Sequence, residues 1–295
     1  MHWLLSVPET FSLREVIRRS GWLLIPSLHG KTMGDHLYRV EDLGGTPVKL
    51  DIYQAPSGLV VQADPPLSGA QVEEASQKVW RMLRLDESLQ PFLRAAFHTE
   101  GLRSVRRNGA RLLRGTTFFE DVLTAALATW DARGEPHFSQ VARLVDHLGV
   151  ALPRNPTLHA FPDAERVLMG TDLLIELFGL ELAEQVRTIA AVFELHKTRI
   201  EMLGRHRSSL DELETALSSH FHLSSAALSL LLLSLGRYDH IPTNEAAIRR
   251  LSYATGDGPQ ATTHDLLMLF GHFQPWGGLA YWLWDWSKVP QMQGS

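Results

Sequence analysis

Residues 228–251 read LSLLLLSLGRYDHIPTNEAAIRRL, and this stretch decides the fold. An apolar run from Leu228 to Leu235 stops at Gly236-Arg237, and Tyr238-Asp239-His240 follows as a short polar loop. Ile241-Pro242-Thr243-Asn244-Glu245 then opens a second helix that carries Arg249 and Arg250. Glycine just past a buried helix ends it, and proline in a first turn begins the next one. A residue just after Pro242 therefore sits at a helix N-terminus, where unpaired backbone N–H groups and the helix dipole face a ligand or an anion.

Outward from this centre the chain divides into two kinds of sequence. Residues 10–20 carry a helical pattern, with Thr10 as the expected N-cap, Phe11, Val16 and Ile17 on one face, and Gly21 as the stop. Residues 37–43, 47–54 and 58–63 alternate with period two and are separated by Gly44-Gly45 and by Pro56-Ser57-Gly58, which predicts an antiparallel meander. Beyond Pro65-Pro66 the period is helical almost throughout: 69–84, 86–97, a strongly apolar 117–130, then 137–148, 171–178, 179–203, 208–219, 262–273 and 277–286. Leu152 to Phe161, interrupted by prolines, is expected to be a loop. The fold class is therefore α+β, predominantly α, with residues 1–98 as an N-terminal sheet-containing domain and 99–295 as a helical domain.

Composition bounds the chemistry. The chain has 295 residues, 28 Lys plus Arg against 33 Asp plus Glu, a net charge of −5 and no cysteine. Thiol catalysis, disulfides and cysteine-ligated iron–sulfur clusters are excluded, and contact with nucleic acid has to come from local basic patches. The start, MHWLLSVPETFSLREV, has too short an apolar patch and no basic flank for a signal peptide, and the 228–235 run is too short to span a membrane. A cytoplasmic monomer with neither cofactor nor metal is expected; His220-x-His222 lacks a third ligand nearby.

The opening stretch closely resembles a segment of the helix-hairpin-helix DNA glycosylase superfamily (HhH-GPD), which shows an apolar helix followed by LGR-x-D-x-hPVD. Leu235-Gly236-Arg237, Asp239 and Pro242 match it. The 117–130 helix resembles the family's LFEDVV helix, Phe161-Pro162-Asp163 its FPD start, and 271–286 (GHFQPWGGLAYWLWDW) the terminal helix of one bacterial branch. The resemblance runs from Phe11 to Trp286 and implies an N-terminal antiparallel sheet packed on a helical glycosylase core. It also implies damaged double-stranded DNA as partner and N-glycosidic hydrolysis as chemistry.

At the positions that matter for that chemistry the chain departs from the pattern. The family's catalytic aspartate aligns with Asn244, which is close in shape but neutral and a poor base. Removing a preorganised charge from such a site costs on the order of 3 kcal/mol or more, roughly a hundredfold in rate. As an alternative to catalysis, Asn244 is a good helix N-cap. Glu245 and Asp239 are the carboxylates nearby that could stand in. The family's hairpin, LPGVGP-x-T-A, aligns with residues 219–226, where neither glycine is present and Ser225 occupies the place of the lyase lysine. His222, Ser224 and Ser225 then remain as phosphate contacts or as caps.

Trp130, at the end of the expected 117–130 helix, reads as a wedge in the duplex or as packing. Arg103, Arg106, Arg107, Arg111 and Arg114 form the strongest basic run, with Arg249 and Arg250 close to Asn244. If these arginines line one groove beside Asn244, contact with DNA is supported; if they diverge, it loses most of its support. Three functions stay open: a lesion-recognition protein with weak or lost glycosylase activity, an active monofunctional glycosylase using Glu245 or Asp239, and a scaffold that does not bind DNA.

Overall fold

The computed structural model describes residues 1–9, 11–19, 35–105, 111–203, 209–256 and 260–288. It begins with β1 (His2–Leu5), α1 (Leu13–Arg19), β2 (His36–Asp42), β3 (Pro47–Ala55), β4 (Gly58–Asp64) and α2 (Gly69–Met82). The four strands form one antiparallel sheet in the order β1-β4-β3-β2. Alternation sets its faces: Val48, Leu50 and Ile52 of β3 are fully buried, while Lys49, Asp51 and Tyr53 between them stay half-exposed. Gly44 and Gly45, both at positive φ, make the tight turn the sequence predicts.

Edge strand β1 was not expected, and its pairing with β4 places Trp3 opposite Val61. Helix α2 starts at a Ser68–Gln71 capping box and buries Ala75, Val79 and Met82. Helix α1 starts after Ser12, whose Oγ accepts from Glu15 N at 3.4 Å; the expected Thr10 cap and Gly21 stop lie outside the described residues.

The helical body contains α3 (Gln90–Ala95), α4 (Phe118–Leu127), β5 (Thr129–Trp130), β6 (Pro136–His137), α5 (Ser139–Leu148), β7 (Val150–Leu152) and β8 (Asn155–Ala160). It continues with α6 (Ala164–Met169), α7 (Thr171–Phe178), α8 (Leu180–Leu203, broken at His196), α9 (Leu210–Phe221) and α10 (Ser225–Ser234). The last helices are α11 (Glu245–Thr255), α12 (Thr263–Phe270) and α13 (Gly277–Leu283). Three expectations are corrected here. The helix expected over 86–97 is shortened to Gln90–Ala95 because Pro91 fits only a first turn. The expected loop at 152–161 is largely strand, with β8 pairing β7 and prolonging the contact with the sheet. The expected 117–130 helix stops at Leu127, and Thr129-Trp130 instead pairs with Pro136-His137. No single helix among the described residues is long and apolar enough to cross a membrane.

The apolar core comes in two main parts, one under the sheet from Phe11 to Leu85 with Leu113, the other among the helices from Leu89 to Trp284. Charged side chains fill the seam between them. Arg39, fully buried, binds Glu41 and reaches Glu120 at 2.6 Å, and Lys78 joins Glu41 at 3.1 Å. Burial alone would push the Glu41 carboxyl up, but Arg39 and Lys78 outweigh it and hold the group below its ordinary range.

Candidate nucleic-acid interface at Ser225 and Asn244

Helix α9 starts at a Ser209–Glu212 capping box and ends at His222, which takes left-handed backbone angles (φ 49°, ψ 42°). His222 N donates to Ser218 O (3.0 Å), and the Gln185 amide donates to the carbonyls of Phe221 (3.3 Å) and His222 (3.0 Å). Ser224 then caps α10, its Oγ accepting from Ala227 N at 3.2 Å. Residues 219–226 thus form a helix–turn–helix without the family's glycines, because His222 supplies the positive φ. Ser224 and Ser225 are exposed at the start of α10, and residues 229–234 are buried.

At its other end, α10 is fixed by the seam. Arg84 is fully buried and donates to Leu112 O and Leu233 O, each at 2.7 Å, and to Glu87 at 2.8 Å. Tyr238 in the following loop donates its hydroxyl to Glu87 and stacks on Trp276 with ring centroids 5.6 Å apart. Burial pushes the Tyr238 hydroxyl far up. Burial also works to raise the Glu87 carboxyl, but Arg84, the Tyr238 hydroxyl and Arg114 together hold it below its ordinary range. Gly278 N donates to Tyr238 O at 2.7 Å, and a Cβ at Gly278 would sit 2.1 Å from His240 O. The loop 236–240 is therefore clamped from both sides before Pro242 begins α11.

Asn244 is the N-cap of α11: its Oδ1 accepts from Ala247 N at 3.1 Å. Its Nδ2 donates to Ser229 Oγ at 3.0 Å and makes a long contact of 3.5 Å to Ser225 O. Asn244 and Ser225 are thus adjacent, with both side chains neutral. Ser229 Oγ also lies 2.8 Å from His240 Nε2, and His240 Nδ1 lies 2.7 Å from Glu214 Oε1. Sequence reasoning missed Ser229, His240 and Glu214. A serine inside a leucine run was a usable signal for Ser229, whereas Glu214 on α9 carried none.

The remaining candidates separate. Glu245 is 87% exposed and paired to Arg249 at 2.8 Å, and Asp239 is held by Arg237 through contacts of 3.1 and 2.8 Å, so each nearby carboxylate is engaged by an arginine. Arg250 turns inward, its guanidinium 4.9 Å over the Trp286 ring and 5.7 Å over Tyr281. Arg111 donates to the backbone of Arg84 and Glu87, and Arg114 to Arg81 O and Asp86. Arg103 pairs with Glu100 at 3.3 Å; Arg106 and Arg107 lie outside the described residues. The described arginines do not line one groove beside Asn244, because most complete internal hydrogen bonds, so the expected arginine support for contact with DNA is lost.

Trp130 is half-buried against the helical core rather than at a helix end. Its hairpin instead brings Gly134 (φ 75°) against α11, where a Cβ would lie 2.0 Å from Ala246 O. A cleft of about 960 Å³ opens between α2 and the 236–239 loop, lined by Trp80, Arg81, Arg237, Asp239 and Trp276, but Asn244 does not line it.

No protein-family model matches the sequence, and no curated protein matches it. Solved structures do match in shape over nearly the whole chain. A 3-methyladenine DNA-glycosylase from Archaeoglobus fulgidus superposes with a TM-score of 0.70 and 17% identity over 95% of this chain and 96% of that one. The 8-oxoguanine glycosylase/lyase of Clostridium acetobutylicum in its apo form gives 0.66 and 12% identity over 93% and 92%. The same enzyme bound to double-stranded DNA with cytosine opposite 8-oxoG gives 0.65 and 13% over 96% of both chains. At these identities the likeness establishes architecture: this chain has the fold of the DNA glycosylases.

Proposed function

We propose that the protein recognises damaged or abasic sites in duplex DNA and that its N-glycosylase activity is weak or lost. The observation that carries this is the convergence of Ser225 and Asn244. Two helix N-termini, each capped by its own side chain, meet at an exposed edge on a glycosylase fold, and backbone N–H groups at such an edge suit phosphate. Both matched enzymes act on altered purines by their printed names, which makes purine lesions the class to test. Asn244 keeps the capping role and lacks the charge that would stabilise an oxocarbenium-like sugar.

The test is incubation of wild type, Asn244→Asp and Glu245→Gln with duplexes carrying 3-methyladenine or 8-oxoguanine. Wild type is expected to leave the base in place and Asn244→Asp to gain cleavage. Cleavage by wild type that disappears in Glu245→Gln would replace this proposal with an active glycosylase using the neighbouring carboxylate.

A second reading, a glycosylase-fold scaffold that does not bind DNA, is favoured by the divergent arginines. An anisotropy titration against intact, lesion and abasic duplex separates the two. Binding that weakens with salt supports recognition, and no binding even at low salt supports the scaffold.

A further inference from the structure

Four side chains from three helices and a loop form one hydrogen-bonded line ending at Asn244. Glu214 of α9 contacts His240 Nδ1 at 2.7 Å, His240 Nε2 contacts Ser229 Oγ of α10 at 2.8 Å, and Asn244 Nδ2 donates to the same oxygen at 3.0 Å. A carboxylate only accepts, so Nδ1 of His240 carries a hydrogen whether the ring is neutral or charged. With a neutral ring, Nε2 is an acceptor and the Ser229 hydroxyl donates to it. With a charged ring, Nε2 donates to Ser229 Oγ, and the hydroxyl hydrogen turns to Ser225 O, 2.9 Å away. One hydroxyl hydrogen serves one of these acceptors at a time, so the proton on His240 decides which way Ser229 points.

The line has the order acid, imidazole, hydroxyl found in serine hydrolases. Ser229 is only 4% exposed, however, and its oxygen is enclosed by three partners, which removes it as a nucleophile. What the line can do is carry charge and direction to the edge where α10 and α11 begin.

We infer that Glu214 and His240 are the positioning residues of the Asn244 site, and that a histidine governs ligand binding where the family uses a carboxylate. This rests on the DNA-recognition reading for its ligand. Protonating His240 takes the Glu214–His240 pair from a net charge of −1 to zero next to two helix N-termini, all of which favours a phosphate. Among the described residues no other charged group is hydrogen-bonded to His240. Asp239 on its own loop is closed by Arg237, Glu245 at the start of α11 is turned out to Arg249, α10 offers the Ser229 hydroxyl, and Gly277 and Gly278 of α13 have no side chain.

The experiment measures affinity for an abasic duplex at about pH 5.5 and about pH 8, at one low salt concentration. Wild type is expected to bind about fivefold tighter at the lower pH, the effect of one partly screened charge. The chain has 14 histidines, so the informative quantity is the ratio of the two affinities in Glu214→Gln and His240→Gln, which should fall towards one. In parallel, NMR follows the Asn244 side-chain amide, which should move with the same midpoint as the His240 ring and stay still in His240→Gln. A pH ratio undiminished in both variants, or an Asn244 amide indifferent to the ring, overturns the inference. Absence of duplex binding at both pH values defeats the DNA reading instead, and the NMR titration then decides the relay alone.

Discussion

The seam between the sheet and the helical body and the edge at Ser225 and Asn244 use polar groups in opposite ways. At the seam, Arg39 and Arg84 are fully buried and each meets a carboxylate. At the edge, the side chains nearest the helix starts are the neutral Ser224, Ser225 and Asn244, Arg249 and Arg250 point elsewhere, and the one carboxylate linked to the edge, Glu214, reaches it only through His240 and Ser229. Buried, fully partnered charges are costly to break and fix geometry, whereas neutral caps hold helix ends and add little field. The electrostatic strength of this chain therefore holds the 236–240 loop in place, and the edge is closed by neutral caps.

The contrast can be broken from either side. The largest effect is expected from Arg84→Ala, which takes the nearest cation from Glu87 and leaves two carbonyls unpaired in the seam; a loss of about 3–5 kcal/mol should appear as a lower urea midpoint. Gly278→Ala drives a methyl group into His240 O and should cost about 1–3 kcal/mol in the same assay, with the Tyr238 environment altered in near-UV circular dichroism.

Acid should weaken the seam selectively. The folded carboxyl of Glu87 is held below its ordinary 4.5, so its contribution is complete above that value and is lost as pH falls through the lower folded one. Urea titrations across this range should show a shallower decline in Glu87→Gln than in wild type. At the edge the numbers shrink. Asn244→Ala removes one cap and the donor to Ser229 and should cost about 1–2 kcal/mol, while Asn244→Asp keeps the cap but gives up that donor and should cost about 0.5–1 kcal/mol. Smallest of all, Arg249→Ala breaks a pair whose carboxylate stands in solvent and should change stability by no more than about 0.5 kcal/mol.

Much of this architecture is legible from local rules. The strands at 36–42, 47–55 and 58–64 fall where alternation and paired glycines put them, and Asn244 caps a helix as its residue type and the preceding proline suggest. What escaped depends on partners distant in sequence. The four residues of β1 become a strand only by pairing with β4, and β8 tolerates Pro156 within a two-stranded ribbon. The helix after Thr117 ends at Leu127 because Trp130 is drawn into a hairpin that docks on α11, a contact with no local signature. The relay through Glu214, His240 and Ser229 is of the same kind: its members are ordinary in sequence and meet only when α9, α10 and the loop are packed together.

The left-handed turn at His222 bears on what this chain could become. A side chain at φ 49° costs about 1–2 kcal/mol that glycine would not incur. The backbone is already shaped for glycine, so His222→Gly would relieve that strain. The turn is thus a place where this chain keeps an imidazole at the expense of backbone ease.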